Sequence, residues 1–207
     1  MERILISDLN AHVGKEVLIE GSVSVRRDQG KLVFFDFRDR SGVVQGVVLP
    51  KSEALEAAKE VKSEYVVAVG GIVNQRPEKN VNLDVQNGDI ELEITSIFVL
   101  SQSRELPFEL GTEVNIDTHL DYLPYTLRTE KSRAIFKVQA EIAKAYRFFL
   151  NGEGFSEFQA PKLIGDDAEG SGEVFEVAYL YGKTAHLATS PQLYKQIMVG
   201  AMERVFS

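Results

Sequence analysis

At 207 residues, of which 44% are apolar and 26% charged, the chain can build one large or two small domains. No apolar run approaches the roughly 18 residues that a membrane span needs, so a membrane-spanning protein is excluded. The absence of cysteine excludes a disulfide framework, a thiolate metal site and a cysteine nucleophile, and it favours the reducing cytoplasm as the location.

Charge and histidine content narrow the function classes further. The net charge of −8 argues against a protein that coats nucleic acid through bulk charge, because such proteins are usually basic. Any nucleic-acid contact must therefore use a local patch and side-chain readout. The three histidines are far apart in the sequence and form no ligand motif, so no metal site is expected. The first residues have no long apolar core, and a secretion signal is not expected.

Residues 1–105 are expected to form one domain of short strands separated by turns. A short helix capped by Ser52 and running to about Lys62 is predicted between the third and the fourth strand, because apolar residues recur there at helical spacing. Five strands with a helix in this place are the order of an OB-fold barrel. The strands are predicted at residues 17–25, 31–38, 43–49, 65–73 and 89–100.

The second of these strands carries an unusual set of aromatic residues. Phe34, Phe35 and Phe37 alternate with charged residues, so one aromatic set must face away from the core. In an OB-fold, an outward phenylalanine beside arginines forms a base-stacking platform with a phosphate-binding rim. The alternative is that the helix and the following segment bury both aromatic faces. The arginines expected to form the rim are Arg26, Arg27 and Arg38.

The composition changes after residue 105. Residues 106–129, interrupted by Pro107 and Gly111, are expected to be a linker, and residues 130–207 a second domain. That domain begins with an amphipathic helix over 130–150, in which apolar residues recur every three or four positions. A short strand over 155–158 follows, and Pro161 is expected to end it or to mark a sheet edge.

Residues 165–173 form a glycine-rich, acidic loop. The loop lacks the Lys-Ser/Thr ending of a phosphate-binding loop, and its negative charge would repel phosphate. A lid whose carboxylate captures an amine fits this composition better. An ordinary solvated loop is the alternative.

The stretch over 189–196 is expected to lead from a strand into a helix. Residues 181–188 have extended character that is broken by Gly182, Ser190 is a good N-cap, and Pro191 suits a first helical turn. Gln192 and Lys195 are three residues apart and share a helix face, so an amide and an ammonium would point together from the helix start. That pair suits a small zwitterion with an additional carboxylate, although a solvated surface helix is the alternative.

Six motifs stand along the chain in an order known from one family. In the first half they are Arg-Arg-Asp-Gln-Gly (26–30), Leu-Val-Phe (32–34) and Arg-Asp-Arg-Ser-Gly-Val-Val-Gln (38–45). In the second half they are Phe-Ser-Glu-Phe-Gln-Ala-Pro-Lys-Leu (155–163), Glu-Gly-Ser-Gly-Glu-Val-Phe (169–175) and Ser-Pro-Gln-Leu-Tyr-Lys-Gln (190–196). The chain resembles the N-terminal part of class II aminoacyl-tRNA synthetases of the aspartyl type.

This resemblance implies an α+β fold: a five-stranded OB-fold barrel that binds the anticodon, followed by an incomplete class II antiparallel-sheet catalytic domain. It further implies ligation of L-aspartate to tRNA(Asp), with tRNA(Asn) left open as a second acceptor, by a cytoplasmic homodimer that uses ATP and Mg²⁺. The residues that match family positions are the anticodon contacts Arg27, Phe34, Gln45, Arg76 and Glu91, the aspartate contacts Glu169, Ser190, Gln192 and Lys195, and Pro161 at the dimer interface.

Lys195 favours aspartate among the related amino acids. Asparagine would leave its ammonium without a counter-charge, at a cost of about 2–5 kcal/mol for a desolvated pair. Asparaginyl-type enzymes resemble this chain but usually lack that lysine, and amide-forming paralogues lack the OB-fold.

The family motifs that hold ATP and Mg²⁺ are not found up to Ser207, so no complete catalytic set is predicted. A truncated fragment that is inactive alone is the expectation. A non-catalytic OB-fold RNA-binding module is the alternative from a different class.

Overall fold

The computed structural model describes residues 2–109, 111–165 and 174–207. The chain divides into two compact units between Pro107 and Phe108. Within the described ranges, no helix combines the length and the apolarity needed to cross a membrane.

The first unit is a closed barrel of five strands, arranged in the order β1-β2-β3-β5-β4. Neighbouring strands are antiparallel, except that β3 and β5 run parallel. A short helix, α1 (Leu55–Glu60), connects the third strand to the fourth. The predicted five-stranded OB-fold barrel is therefore confirmed. Its strands are β1 (Glu16–Asp28), β2 (Val33–Arg38), β3 (Val43–Val48), β4 (Val66–Gln75) and β5 (Ile90–Ser101).

Strand β2 has strictly alternating burial. Val33, Phe35 and Phe37 are buried, whereas Phe34 and the charged residues after it on the same face are only partly covered. The rings of Phe35 and Phe37 stack with centroids 5.5 Å apart. Gly46 on β3 leaves room for this pair, because a Cβ there would lie only 2.7 Å from the Phe37 ring. The alternative in which both aromatic faces are buried is therefore wrong.

One end of the barrel is closed by a 3₁₀ helix, Ile6–His12. Ile6 and Leu9 of this helix are fully buried in the barrel core. The Asp39 carboxylate joins the helix to the turn between β2 and β3, because it accepts hydrogen bonds from the Ile6 amide at 3.0 Å and from the Ser41 amide at 2.7 Å. These hydrogen bonds therefore hold the 3₁₀ helix, with its buried residues Ile6 and Leu9, against the barrel core.

Helix α1 begins two residues later than predicted. Ser52 is not its N-cap, and the cap position is Ala54. The Ser52 hydroxyl instead donates a hydrogen bond to the Ile94 carbonyl oxygen at 2.8 Å and accepts one from the Ala54 amide at 3.2 Å. A tertiary contact with β5 thus competes with the capping geometry.

The second unit begins with two short helices, α2 (Ile116–Asp121) and α3 (Leu123–Thr126), which lie in the range predicted as a linker. The Asn115 side chain caps α2 by accepting a hydrogen bond from the Thr118 amide. The predicted long helix is present as α4 (Glu130–Gly152), and the Thr129 hydroxyl caps it by accepting a hydrogen bond from the Ser132 amide.

Two small sheets follow α4. The parallel pair consists of β6 (Ser156–Glu157) and β10 (Val205–Phe206). The antiparallel sheet has the order β7-β9-β8, with β7 (Leu163–Ile164), β8 (Glu176–Ala178) and β9 (Thr184–Leu187).

Extended structure was predicted over 181–188, but the strand starts only at Thr184. Tyr181 lies in a 3₁₀ turn with φ 61°, and Gly182 follows it at φ 69°. Two successive residues in the left-handed region turn the chain before the strand can begin.

The last helix of the unit is α5 (Gln192–Met202). Its N-cap is Pro191 with φ −80° and ψ 32°, and no side chain caps the helix. The prediction that Ser190 is the N-cap is therefore wrong. The ψ of 32° lies outside the helical region, so Pro191 is not itself helical and the helix starts one residue further along the chain, at Gln192.

Candidate nucleic-acid interface and ligand cavity

The pairing register of the barrel brings together three of the predicted anticodon contacts. Arg27 on β1 lies opposite Phe34 on β2. Asp36, two residues along β2 and on the same face, lies opposite Gln45 on β3. Side chains of opposed residues share one face of a sheet. The outward face therefore presents the partly exposed Phe34 ring with polar side chains on both sides.

A hydrogen-bond network links the polar members of this face. The Nη1 and Nη2 atoms of Arg27 donate to the two carboxylate oxygens of Asp36 at 2.9 and 2.8 Å. Nη2 also donates a longer hydrogen bond, of 3.5 Å, to Oε1 of Gln45. The Arg27 side chain remains 44% exposed. The guanidinium is thus held in place while it is still accessible to a ligand.

The remaining two predicted contacts lie on the neighbouring strands. Gly46 is paired with Leu92 across the parallel β3–β5 contact, so Gln45 is adjacent to Glu91. Arg76, which directly follows β4, has its Nε 4.0 Å from the Glu91 carboxylate, and its side chain is only 10% exposed. The Arg76 Nε is buried and makes no hydrogen bond. Arg76 and Glu91 therefore lie together, but Arg76 is far less accessible than Arg27.

The expected phosphate-binding rim is only partly present. Arg38 forms an ion pair with the buried Glu64 at 2.6 Å, and Arg26 pairs with Asp28 at 3.0 Å. Both arginines are therefore committed to contacts within the barrel. The sequence predicted these arginines at the rim but did not predict their ion pairs, because the register alone does not reveal which carboxylate a long side chain reaches.

The charge balance of the face is acidic. Arg27 and Arg76 are accompanied by three carboxylates, those of Asp36, Glu91 and Glu93. Such a surface does not attract phosphate groups as a whole. It offers instead an aromatic ring for stacking and directional hydrogen-bonding groups, which suits contact with unstacked bases.

In the second unit, helix α5 positions the predicted amino-acid contacts. A cavity of about 460 Å³ is lined by Ser190, Gln192, Lys195, Gln196 and Val199. These residues come from the segment before α5 and from its first two turns. The cavity therefore combines an ammonium, two amides and a hydroxyl, which together complement a carboxylate and its neighbouring polar groups.

Glu169 and Pro161 are the remaining predicted site residues of the second half of the chain. Glu169 lies outside the described residues. Pro161 lines a second cavity of about 350 Å³, together with Leu163, Leu193 and other apolar residues, and this cavity also borders Ser190. The assignment of Pro161 to a dimer interface remains a prediction.

Sequence reasoning missed three residues of these sites. Asp36 was seen only as one of the charged residues alternating with the aromatics, although its spacing of two from Phe34 already put both on one face. Gln196 and Val199 line the cavity beside Lys195. Gln196 follows Gln192 by four residues, a spacing that signals a shared helix face.

Comparison with known proteins agrees with this architecture. Residues 17–100 match the family of OB-fold nucleic acid binding domains, and residues 115–207 match the family of tRNA synthetases class II (D, K and N). An aspartate–tRNA(Asp/Asn) ligase from Thermus thermophilus is 42% identical over 212 residues, which are 99% of this chain and 46% of the relative. A ligase of the same name from Deinococcus radiodurans is 40% identical over 210 residues, 100% of this chain and 45% of the relative.

A solved structure shows the same likeness. The asparaginyl-tRNA synthetase from Pyrococcus horikoshii complexed with asparaginyl-adenylate has a TM-score of 0.85 and is 30% identical, covering 99% of this chain and 46% of that one. The chain thus spans about half the length of the relatives that it matches. This chain therefore contains an OB-fold nucleic acid binding domain followed by a domain of the class II tRNA synthetases of the D, K and N group.

Proposed function

We propose that this chain carries the anticodon-binding and amino-acid-binding parts of an aspartate–tRNA ligase. The observation that carries the proposal is the cavity at the start of α5, where Gln192 and Lys195 stand together in a synthetase domain that follows an RNA-binding barrel. The names of the relatives, which are aspartate–tRNA(Asp/Asn) ligases, support the same assignment. This function belongs to the cytoplasm, where charged tRNA is used.

In this proposal the barrel binds the anticodon loop through its outward face. Phe34 stacks on one unpaired base, and Arg27 and Gln45 donate hydrogen bonds to base edges. Glu91 accepts hydrogen bonds at the neighbouring strand, while the largely buried Arg76 supports that carboxylate. The acidic balance of the face reduces binding to phosphate groups in general, so that the bases decide affinity.

The cavity at α5 binds aspartate. Lys195 pairs with the side-chain carboxylate of the amino acid, and Gln192 and Ser190 hydrogen-bond its polar groups. Glu169, as the residue that meets the α-ammonium group, is part of the proposal on the resemblance alone. Asparagine carries no charge on its side chain and therefore leaves Lys195 unpaired. Because Lys195 is exposed in this structure, the pair is a solvated one, and the preference for aspartate that it contributes is about 0.2–1 kcal/mol.

The family implies ATP and Mg²⁺ as further requirements, and ATP supplies the group that activates the carboxylate of the amino acid. Among the described residues, no group of three or more His, Asp or Glu side chains is placed to hold a metal ion. In this proposal the described residues bind and orient aspartate and the tRNA.

The second candidate function is that of an asparaginyl-tRNA synthetase, which binds asparagine. The likeness to an asparaginyl-tRNA synthetase structure at 30% identity favours it, whereas Lys195 opposes it. Calorimetry with the chain separates the two candidates. Aspartate is expected to bind more tightly than asparagine, and equal or reversed affinity would overturn the assignment of aspartate.

The tRNA partner is proposed to be tRNA(Asp), and tRNA(Asn) as well. The relatives' names include both tRNAs. By the genetic code, the anticodons of these tRNAs differ only at their third base. Binding of the chain to the two anticodon stem–loop RNAs measures this choice. Equal affinity supports use of both, and a clear preference for the tRNA(Asp) loop restricts the proposal to tRNA(Asp).

A homodimer is also proposed. Helix α4 carries apolar side chains every three or four residues that are more than half exposed in the single chain: Ile135, Val138, Ile142, Tyr146 and Phe149. An apolar stripe of this length on a solvent-exposed helix is typical of an interaction surface. Sedimentation equilibrium of the chain and of Ile142→Glu tests it, since the dimer should weaken in the variant.

A further inference from the structure

Asp36 lies in the middle of the outward barrel face, between Gln45 on one neighbouring strand and Arg27 on the other. We propose that Asp36 is a positioning residue for RNA recognition. Its carboxylate holds the Arg27 guanidinium in one orientation and thereby determines which hydrogen-bond donors Arg27 and Gln45 present to an RNA base. This inference rests on the proposed function of the face.

Arg27 and Asp36 form an ion pair with a defined geometry. Arg27 lies opposite Phe34, and it reaches diagonally to Asp36 with two parallel hydrogen bonds of 2.9 and 2.8 Å. A two-pronged contact of this kind fixes the plane of the guanidinium as well as its position. A half-exposed arginine otherwise samples many rotamers, and RNA binding would have to restrict them. Asp36 restricts them before the RNA arrives.

The hydrogen bond from Arg27 also orients the Gln45 side chain. Its Oε1 accepts the 3.5 Å hydrogen bond from Arg27 Nη2, so the two N–H groups of its Nε2 face away from the guanidinium. Three of the five N–H donors of Arg27 are engaged by Asp36 and Gln45. The face beside Phe34 therefore presents donors in fixed directions, and it should favour a base edge with carbonyl or ring-nitrogen acceptors.

The negative charge of Asp36 also affects how the face binds phosphate groups. Asp36 is only 23% exposed, and its negative charge offsets that of Arg27 where a phosphate group could otherwise bind. Without it, Arg27 becomes a free cation that binds any RNA more strongly. Asp36 thus lowers affinity for RNA in general while it keeps the preference for the correct base.

The experiment uses the whole chain and fluorescently labelled anticodon stem–loop RNAs, measured by anisotropy at several salt concentrations. One RNA carries the tRNA(Asp) anticodon, and the others change one anticodon base at a time. The proteins are the unmodified chain, Asp36→Asn and Asp36→Glu. The matched control is Glu93→Gln, because it removes the same charge from the same face at a carboxylate that accepts from Asn74 instead of Arg27.

In Asp36→Asn, the ratio of affinities for the matched and the altered RNA should fall about tenfold, as for the loss of one two-pronged contact. Its salt dependence should steepen by about 0.7 log units per decade, since one more cation faces the RNA. Asp36→Glu keeps the carboxylate and should recover part of the ratio. Glu93→Gln should keep the ratio of the unmodified chain.

A purely structural role for Asp36 would lower the thermal midpoint without changing the ratio. The inference is overturned if the ratio of affinities in Asp36→Asn stays within about twofold of that of the unmodified chain. It is also overturned if Glu93→Gln lowers this ratio as much as Asp36→Asn does.

If Asp36→Asn does not fold, Arg27→Lys decides the question. It retains the charge but cannot make the two-pronged contact, and an unchanged ratio in it also overturns the inference. If the unmodified chain does not distinguish the RNAs at all, the proposed function of the face fails as well, which tells the two failures apart.

Discussion

Nη2 of Arg38 lies 2.6 Å from Oε2 of Glu64, and the Glu64 side chain is fully buried while that of Arg38 is 14% exposed. Arg38 also donates a hydrogen bond to the Ser24 hydroxyl at 3.3 Å. Glu64 has φ 65°, a backbone conformation that costs free energy in a residue with a side chain. This ion pair joins the end of β2 to the entry of β4 and turns a candidate RNA contact into a structural one.

Arg38→Ala should therefore destabilise the barrel without weakening RNA binding directly. Removing one partner of a buried pair leaves a desolvated charge behind, which costs about 3–5 kcal/mol. Urea unfolding followed by circular dichroism measures this loss. Arg40→Ala, at an exposed position in the adjacent turn, is the control and should change stability little. Adding Glu64→Gln to Arg38→Ala should restore part of the loss, and a loss below about 1 kcal/mol for Arg38→Ala would contradict the prediction.

Asp39 should make the barrel sensitive to acid. Burial would raise the pKa of this carboxyl, but hydrogen bonds from Ser41, Ile6 and Gly42 outweigh burial and lower the pKa below its ordinary value. Because the folded-state pKa is the lower one, the stabilisation is present above about pH 4 and is lost as the pH falls from there through the folded-state pKa.

The measurement is the free energy of unfolding between neutral pH and the acid limb, for the unmodified chain and for Asp39→Asn. The variant should be less stable at neutral pH by about 2 kcal/mol, the cost of losing hydrogen bonds to a charged group. Its stability should also depend less on pH below about pH 4. Parallel acid curves for the two proteins would contradict the assigned role.

Phe34→Ala should weaken the binding of the anticodon stem–loop about tenfold or more, because stacking on an aromatic ring contributes about 1–3 kcal/mol per base. Phe34→Tyr keeps a stacking ring and should bind nearly as the unmodified chain does. Phe98→Ala is a control at another aromatic residue of the barrel, which is 65% exposed on β5. If Phe98→Ala weakened binding as much as Phe34→Ala, the RNA-binding face would have to be placed elsewhere on the barrel.

Lys195→Met should remove the preference for aspartate over asparagine. The substitution keeps most of the side-chain volume but deletes the positive charge opposite the ligand carboxylate, so aspartate should lose affinity while asparagine changes little. Calorimetric titration with both amino acids measures the effect, and Lys183→Met, an exposed lysine before β9, is the control. A retained preference in Lys195→Met would show that another group reads the carboxylate.

Much of this fold was predictable from local patterns. The alternation of Phe34, Phe35 and Phe37 depends only on the period of a strand, so the inward and outward aromatic faces followed from spacing. The long helix over 130–150 and the strands of the barrel followed in the same way, because each pattern is generated by neighbouring residues along the chain.

Other features depended on contacts that the chain makes at a distance. Ser52 lost its capping role to the Ile94 carbonyl 42 residues away, and Ser190 lost its role because Pro191 occupies the cap position. The roles of the arginines separated only in three dimensions: Arg38 reaches the buried Glu64, whereas Arg27 reaches Asp36 beside the partly exposed ring of Phe34. Side-chain spacing determines which face a residue lies on, but only the tertiary structure decides which partner its long, flexible side chain meets.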